Sequence, residues 1–377
     1  MEKLVTKKEF FDSQSDLTAS KILIYQQYLS SYLPKVLTQY GSCFIADFFC
    51  GCGKNGQQDG SPLVLLDIAK KMLDNPILKK KQPDAEIVIV FSDKNKSFCD
   101  DLKVHLHRLP IPKQIKINGP YCESFESIKT RVMGVVNKFK SPKFFFLDPF
   151  TYSDVEIDDI KGFMNVPAAE VLLFLPIFHL YRFVKCFDKA EALKKFLEDF
   201  TEREYSDYAD INDFIESIRQ KMLNYIDLKY VREVVLDDGA RKHALVYLTK
   251  HVIGMLLMNN LVWKYAGDGV TLKTKRNNSL TLFDTSPFSK NYKKKKMCLK
   301  NYIIKKERLT NVEVVDFVAQ IGFTTKYANG ILKEMKNKGL ISVKYKKNDR
   351  KRGFYVTTKY WNEELAMIIY HGGRNGE

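Results

Sequence analysis

Three short polar clusters could carry chemistry in this chain, and each follows an apolar run. The first is Asp47-Phe48-Phe49-Cys50-Gly51-Cys52-Gly53. Glycines spaced this way let the backbone approach a bound cofactor closely, because a Cβ there would collide with it. The third glycine of a dinucleotide fingerprint is off its spacing, and Gly53-Lys54 continues into Asn55 rather than a phosphate-binding Lys-Ser/Thr pair, so a nicotinamide cofactor or ATP is not favoured. The second cluster ends at Asp93, placed to accept hydrogen bonds from both hydroxyls of a ribose. The third is Asp148-Pro149-Phe150, in which a carboxylate and a carbonyl form rigid acceptors beside an aromatic ring. Such a set suits an exocyclic amine on a planar base. Read singly, each cluster is equally an ordinary turn or helix cap.

The elements around these clusters give them a common place. Leu17, Ile22, Tyr25, Leu29 and Leu33 recur at helical spacing, so Leu17–Val36 reads as an amphipathic helix. Ser42–Phe49, Ile87–Phe91, Ile115–Ile117, Lys143–Leu147 and Glu170–Pro176 read as strands. Helices are expected from Ser61-Pro62 to about Leu73, over Glu123–Phe139 and over Val155–Met164, with a polar loop at Lys54–Gly60. Short apolar strands alternating with helices imply an α/β fold, with a Rossmann-like parallel sheet covered by helices on both faces. Ligands in such sheets bind beyond the carboxyl ends of the strands, where all three clusters fall. Residues 187–229, with 7 basic and 11 acidic residues, read as a helical insertion. Arg232–Leu236 and Ala244–Leu248 flank Asp237-Asp238-Gly239, a hairpin signal, and His251–Trp263 is an apolar helix. The first domain is thus expected over 1–265.

Residues 266–300 read as a basic linker, with Lys293–Lys296 as a flexible arm. From 301 to 377 the pattern changes. Helices are expected over Val312–Gln320, capped by Thr310 or Asn311, and over Lys326–Lys338, capped by Thr324 or Thr325 and closed by Gly339. Strands Leu340–Tyr345 and Gly353–Thr357 would flank a basic tip, Lys346–Arg352. That order describes a winged helix-turn-helix.

Ser20-Lys21, the cluster Asp47–Gly53, Gly60-Ser61-Pro62 and Leu147-Asp148-Pro149-Phe150 together resemble the bacterial three-Cys-motif partner proteins. The resemblance implies a methyltransferase-like fold, commonly with a C-terminal helix-turn-helix, and an S-adenosylmethionine site built from Asp47, Phe49, Gly51, Gly53 and Asp93. It places Lys21 near the cofactor's carboxylate and gives Asp148, Pro149 and Phe150 the catalytic role towards a base amine. It further implies a three-Cys-motif partner protein and a place in a bacterial defence or modification system. The sequence departs from the pattern at Cys50 and Thr151, and it has one proline where amine-directed nucleic-acid methyltransferases carry two. Two functions stay open: a methyltransferase acting on nucleic acid, or a nucleic-acid-binding protein with a non-catalytic methyltransferase-like domain.

Charge separates the two parts. The 377 residues carry 61 Lys plus Arg against 45 Asp plus Glu, a net +16. Residues 270–360 hold 23 and 6 of these, a net +17, which leaves 38 and 39, a net −1, for the rest. A basic block on a winged pattern points to nucleic acid, DNA ahead of RNA. Lys293, Lys294, Lys295 and Lys296, then Thr325, Lys326, Tyr327 and Lys333 on the recognition helix, then Lys346, Lys347, Arg350, Lys351 and Arg352 on the wing, are the candidate contacts. Lysine predominates over arginine, which favours phosphate attraction over base reading. No secretory signal or membrane-length apolar run is visible. Seven unclustered cysteines and scattered histidines speak against disulfides and zinc, and so for a cytoplasmic protein.

Overall fold

The computed structural model describes residues 16–177, 180–181, 191–203, 208–239, 241–273, 289–346 and 353–372. The chain divides into two compact units, Met1–Lys250 with Leu272–Ser279, and His251–Thr271 with Leu280–Glu377.

The first unit is built on a mixed, mostly parallel sheet flanked by helices. It opens with α1 (Asp16–Tyr40), which buries Tyr25, Tyr28, Leu29 and Leu33. Next come β1 (Ser42–Asp47), the short hairpin β2 (Lys54–Asn55) and β3 (Gln58–Asp59), α2 (Ser61–Leu73), α3 (Pro76–Lys81), β4 (Glu86–Asp93), α4 (Lys96–His107) and β5 (Ile115–Cys122). Then follow α5 (Phe125–Val136), β6 (Lys143–Leu147), α6 (Ile157–Asn165), β7 (Ala169–Leu175), α7 (Glu191–Phe200), α8 (Ile211–Tyr225), β8 (Tyr230–Asp237) and β9 (Lys242–Thr249). The sheet order is β10-β8-β9-β7-β6-β1-β4-β5, where β10 (Thr271–Lys273) is the short edge strand. β5, β4, β1, β6 and β7 run parallel, and β9 pairs antiparallel with both β7 and β8. Numbered over the seven longer strands the order is 3-2-1-4-5-7-6. Its first five positions are those of the doubly wound dinucleotide sheet. β6 and β7 are buried at every residue, as helices on both faces require.

The sequence places the strand cores correctly and misses several short elements. The expected loop Lys54–Gly60 contains the β2–β3 hairpin, turned at Gly56 with φ +61°. α3 and α4 are not among the expected helices, and each is started by a local cap, since Asn75 accepts from the Ile77 amide and Asn95 from that of Ser97. α7 and α8 lie within the expected insertion.

The second unit begins with α9 (Val252–Tyr265), capped by His251. Sequence spacing assigns this helix to the first domain. Its polar side chains instead tie it to the second, where Asn259 Nδ2 donates to Ala319 O at 3.1 Å and Trp263 Nε1 to Gly322 O at 2.9 Å. The expected linker also differs, because Lys293–Lys296 lies inside α10 (Lys290–Lys306) and is not an arm. Leu299 and Ile303 bury the apolar side of that helix. β11 (Arg308–Thr310), α11 (Asn311–Gln320), α12 (Thr325–Asn337), β12 (Ile341–Tyr345) and β13 (Ala366–Tyr370) complete the unit. Thr310 and Glu313 form a reciprocal cap on α11 and Thr324 caps α12, both as expected. The strand expected at Gly353–Thr357 is absent; β13 pairs with β12 and with β11 instead. Buried Asn311 explains the choice. Its Oδ1 accepts from the amides of Leu365 and Ala366 and its Nδ2 donates to Glu363 O, which fixes the start of β13.

Candidate active site

The order of the parallel strands reverses between β1 and β6, and the candidate residues gather at the carboxyl ends there. Asp47 ends β1, Asp93 ends β4, and Asp148-Pro149-Phe150 follows β6. Crevices at such switch points are where ligands bind in open α/β sheets.

The turn after β1 is stitched from both sides. Asp93 accepts the Gly51 amide at 3.0 Å through Oδ2 and the Asn95 amide at 2.8 Å through Oδ1. The Cys50 amide donates to Ser92 O and the Gly60 amide to Gly53 O. Gly51 and Gly53 have φ of +63° and +85°, backbone that favours glycine. Their surroundings differ. A Cβ on Gly53 would lie 2.8 Å from Leu102 Cδ1, whereas one on Gly51 would meet nothing within 4 Å. Gly51 therefore faces open space.

Asp47 is fully buried and accepts from Ser61 Oγ at 2.6 Å and from the Phe49 amide at 3.4 Å. Burial pushes its carboxyl up to about 7, and the negative charges of Asp148 and Asp93 add to this; the Ser61 and Phe49 hydrogen bonds pull the other way. Tyr25 Oη, also fully buried and without a hydrogen-bond partner, lies close enough to Asp47 for the carboxylate to raise its pKa further, beyond the larger effect of burial.

Lys21, expected at a cofactor carboxylate, forms an ion pair with Asp148 instead, and its ammonium sits 4.6 Å from the centroid of the Phe174 ring. The two side chains are 11% and 19% exposed, so the pair is largely shielded from solvent. Phe150 is 52% exposed.

Next to the glycine turn lies a cleft of about 320 Å³, lined by Phe48, Phe49, Lys94, Phe125, Asp154 and Asp159 among others. Of the expected site residues, only Phe49 lines it. Phe49 and Phe125 stack with centroids 5.3 Å apart, and Lys94 pairs with Asp154 at 2.9 Å. Sequence reasoning missed Lys94, Phe125 and Asp154. Their signal was positional: each lies just beyond a strand end, where Ser124 caps α5 and the Thr151–Asp154 box caps the turn after β6. Among the described residues no group of His, Cys, Asp or Glu could hold a metal ion, and no helix is long and apolar enough to cross a membrane.

The candidate nucleic-acid contacts in the second unit divide into exposed and committed groups. Lys326, Gly330, Lys333 and Asn337 form an exposed stripe along α12, opposite buried Ala328, Ile331, Leu332 and Met335. Lys293 and Lys294 are exposed on α10, and Thr325 and Lys295 are half-buried. Tyr327, expected at base edges, packs among Trp263, Tyr292 and Phe323. Lys296, expected on phosphate, pairs with Glu334 at 2.6 Å, which Lys300 also contacts at 3.1 Å. Lys346 is exposed and pairs with Glu364. Lys347, Arg350, Lys351 and Arg352 lie outside the described residues.

No family model matches this chain, and no curated protein does. Among solved structures it is similar to the SAH-bound methyltransferase PaMTH1 of Podospora anserina, with 9% identity and a TM-score of 0.28 over 58% of this chain and 77% of that one. It is also similar to a chain assigned to the Zn-dependent alcohol dehydrogenases of Rhodobacter sphaeroides, with 11% identity and a TM-score of 0.24 over 63% and 99%. Likeness at this level carries no argument, and the fold stands on its own strand order.

Proposed function

We propose that this chain is an S-adenosylmethionine-dependent methyltransferase acting on nucleic acid, with the second unit, a winged helix-turn-helix, holding the substrate. One observation carries the reading. The turn that presents Gly51 to open space is bonded to Asp93 at the switch point of a parallel sheet, with Asp148 on the adjoining strand end. The reversed strand β9, set between the fifth and sixth of the longer strands in chain order, β7 and β8, supports the methyltransferase-like form of the fold.

Asp47, Phe49, Gly51, Gly53 and Asp93 are the residues to hold the cofactor, and the Gly51 space fits a group pressed against backbone. S-adenosylmethionine, when bound, supplies an already activated methyl group, which leaves the protein chiefly to align the acceptor. Asp148 and the Pro149 carbonyl would accept the two hydrogens of a base amine and direct its lone pair away from them. Phe150 would stack on the base, which must be single-stranded or flipped from a duplex. The order helix, strand, helix, turn, helix, strand, strand from α10 onward in the second unit, with an exposed lysine stripe on α12, supports nucleic acid as the partner.

A second reading, a non-catalytic nucleic-acid binder, is favoured by the Lys21–Asp148 ion pair, which occupies the carboxylate that an amine would need. Labelled S-adenosylmethionine with total bacterial DNA or RNA separates the two. Transfer by the wild type and none by Asp148→Ala is the expected result. Calorimetric binding of the cofactor without transfer supports the second reading, and no cofactor binding at all overturns the first.

A further inference from the structure

Beneath the Asp93–Lys94 bend two thiols converge from different elements. Cys99 lies in the first turn of α4, with its amide bonded to Asn95 O. Cys122 is the last residue of β5, and its partner across the ladder is Asp93 itself. Their sulfurs reach consecutive carbonyls: Cys99 Sγ is 3.4 Å from Asp93 O and 3.5 Å from Tyr121 O, and Cys122 Sγ is 3.9 Å from Lys94 O. Cys122 is exposed and Cys99 fully buried. One thiol is thus open to a small reagent, and the other is sheltered beside it, the arrangement of an attacking and a resolving cysteine.

We propose that Cys99 and Cys122 form a redox-active dithiol that a small-molecule disulfide of the glutathione type converts to an internal disulfide, fixing the Asp93 bend. The exchange balances through a mixed disulfide. The Cys122 thiolate attacks one sulfur of the reagent and expels the first small thiolate. The Cys99 thiolate then attacks the Cys122 sulfur and expels the second. Two electrons pass from the protein dithiol to the reagent, and the two protons lost by the cysteines leave with the released thiols. The second step is the slower one. Burial raises the Cys99 thiol to about 11, with the adjoining Cys122 adding to that, so little Cys99 is ionised at neutral pH.

The bend matters because Asp93 holds the Gly51 and Asn95 amides. Oxidation would replace two weak thiol-to-carbonyl contacts at residues 93 and 94 with a covalent tether from α4 to the end of β5.

The test uses the full chain treated with oxidised glutathione at pH 8, alkylated, digested and mapped by mass spectrometry. The expected result is loss of two of the seven alkylatable thiols and a peptide pair joined through Cys99 and Cys122. Cys99→Ser should instead retain glutathione on Cys122, and Cys122→Ser should give neither product. Glutathione held on wild-type Cys122 without the crosslink, or a crosslink through other cysteines, overturns the pair. Amide hydrogen exchange at Gly51 and Asn95, several-fold slower after oxidation, tests the bend without any cofactor. A crosslink that leaves both amides unchanged overturns that part alone.

Discussion

Gly51 and Gly53 look alike in the sequence and separate sharply in the structure. Each has positive φ, where an alanine costs about 1 kcal/mol or more. At Gly53 the added Cβ also drives into Leu102, which is fully buried, so Gly53→Ala should destabilise the fold by about 2–3 kcal/mol. Gly51→Ala meets only open space and should cost about 1 kcal/mol, yet should abolish S-adenosylmethionine binding by filling the space proposed for the cofactor. Denaturant midpoints and calorimetry on the two variants measure both quantities; a Gly51→Ala protein with unchanged affinity would remove the cofactor from this turn. The Gly-x-Gly spacing was legible in the sequence because it is local. Which glycine faces open space was not, since that depends on Leu102 from another helix. The Lys21–Asp148 pair was not legible for the same reason: the two residues lie 127 positions apart.

At the level of elements, α1 is fixed to the sheet by a buried polar knot. Glu170 on β7 accepts from Tyr28 of α1 at 2.6 Å and from Thr249 of β9 at 3.2 Å, and Tyr28 meets Tyr247 of β9 at 2.6 Å. Burial raises the Glu170 carboxyl to about 7, although these hydrogen bonds oppose the rise. The folded state therefore keeps a proton that the unfolded chain loses near 4.5, and stability falls as pH rises from about 4.5 to about 7. The penalty above that window is on the order of 3 kcal/mol. Glu170→Gln should flatten the fall, so that the gap in melting temperature between variant and wild type shifts in the variant's favour from pH 5 to pH 8. Asp47, raised for the same leading reason, leaves a residual slope of the same sign. Equal slopes in wild type and Glu170→Gln would show that Glu170 does not titrate in this range. The short apolar run of β7 marked it as a core strand, because such runs alternating with helices suit a parallel sheet buried on both faces. It could not show that one carboxylate within the run joins three elements. The misplaced last strand has a similar origin, since Gly353–Thr357 has strand-like composition but Asn311 selects Ala366–Tyr370.

For the whole molecule, the charge asymmetry remains the broadest signal, and the side-chain pairings refine it. Not every lysine of the basic block is available to phosphate. Glu334 gathers Lys296, Lys300 and Lys338 and is held down at about 2, first by its Lys296 and Lys300 hydrogen bonds, so it stays ionised throughout the neutral range. Lys326 and Lys333 lie on the exposed stripe of α12 instead. Each phosphate neutralised contributes about 0.9 to the slope of log affinity against log salt. Lys326→Ala with Lys333→Ala should therefore lower that slope by about 1 to 2 on duplex DNA, measured with the full chain at several salt concentrations. Lys296→Ala should leave it nearly unchanged, because that charge is already spent on Glu334. The two outcomes are opposite for residues of one type in one unit, so an equal effect from Lys296→Ala would mean that bulk charge, not the α12 stripe, holds the nucleic acid.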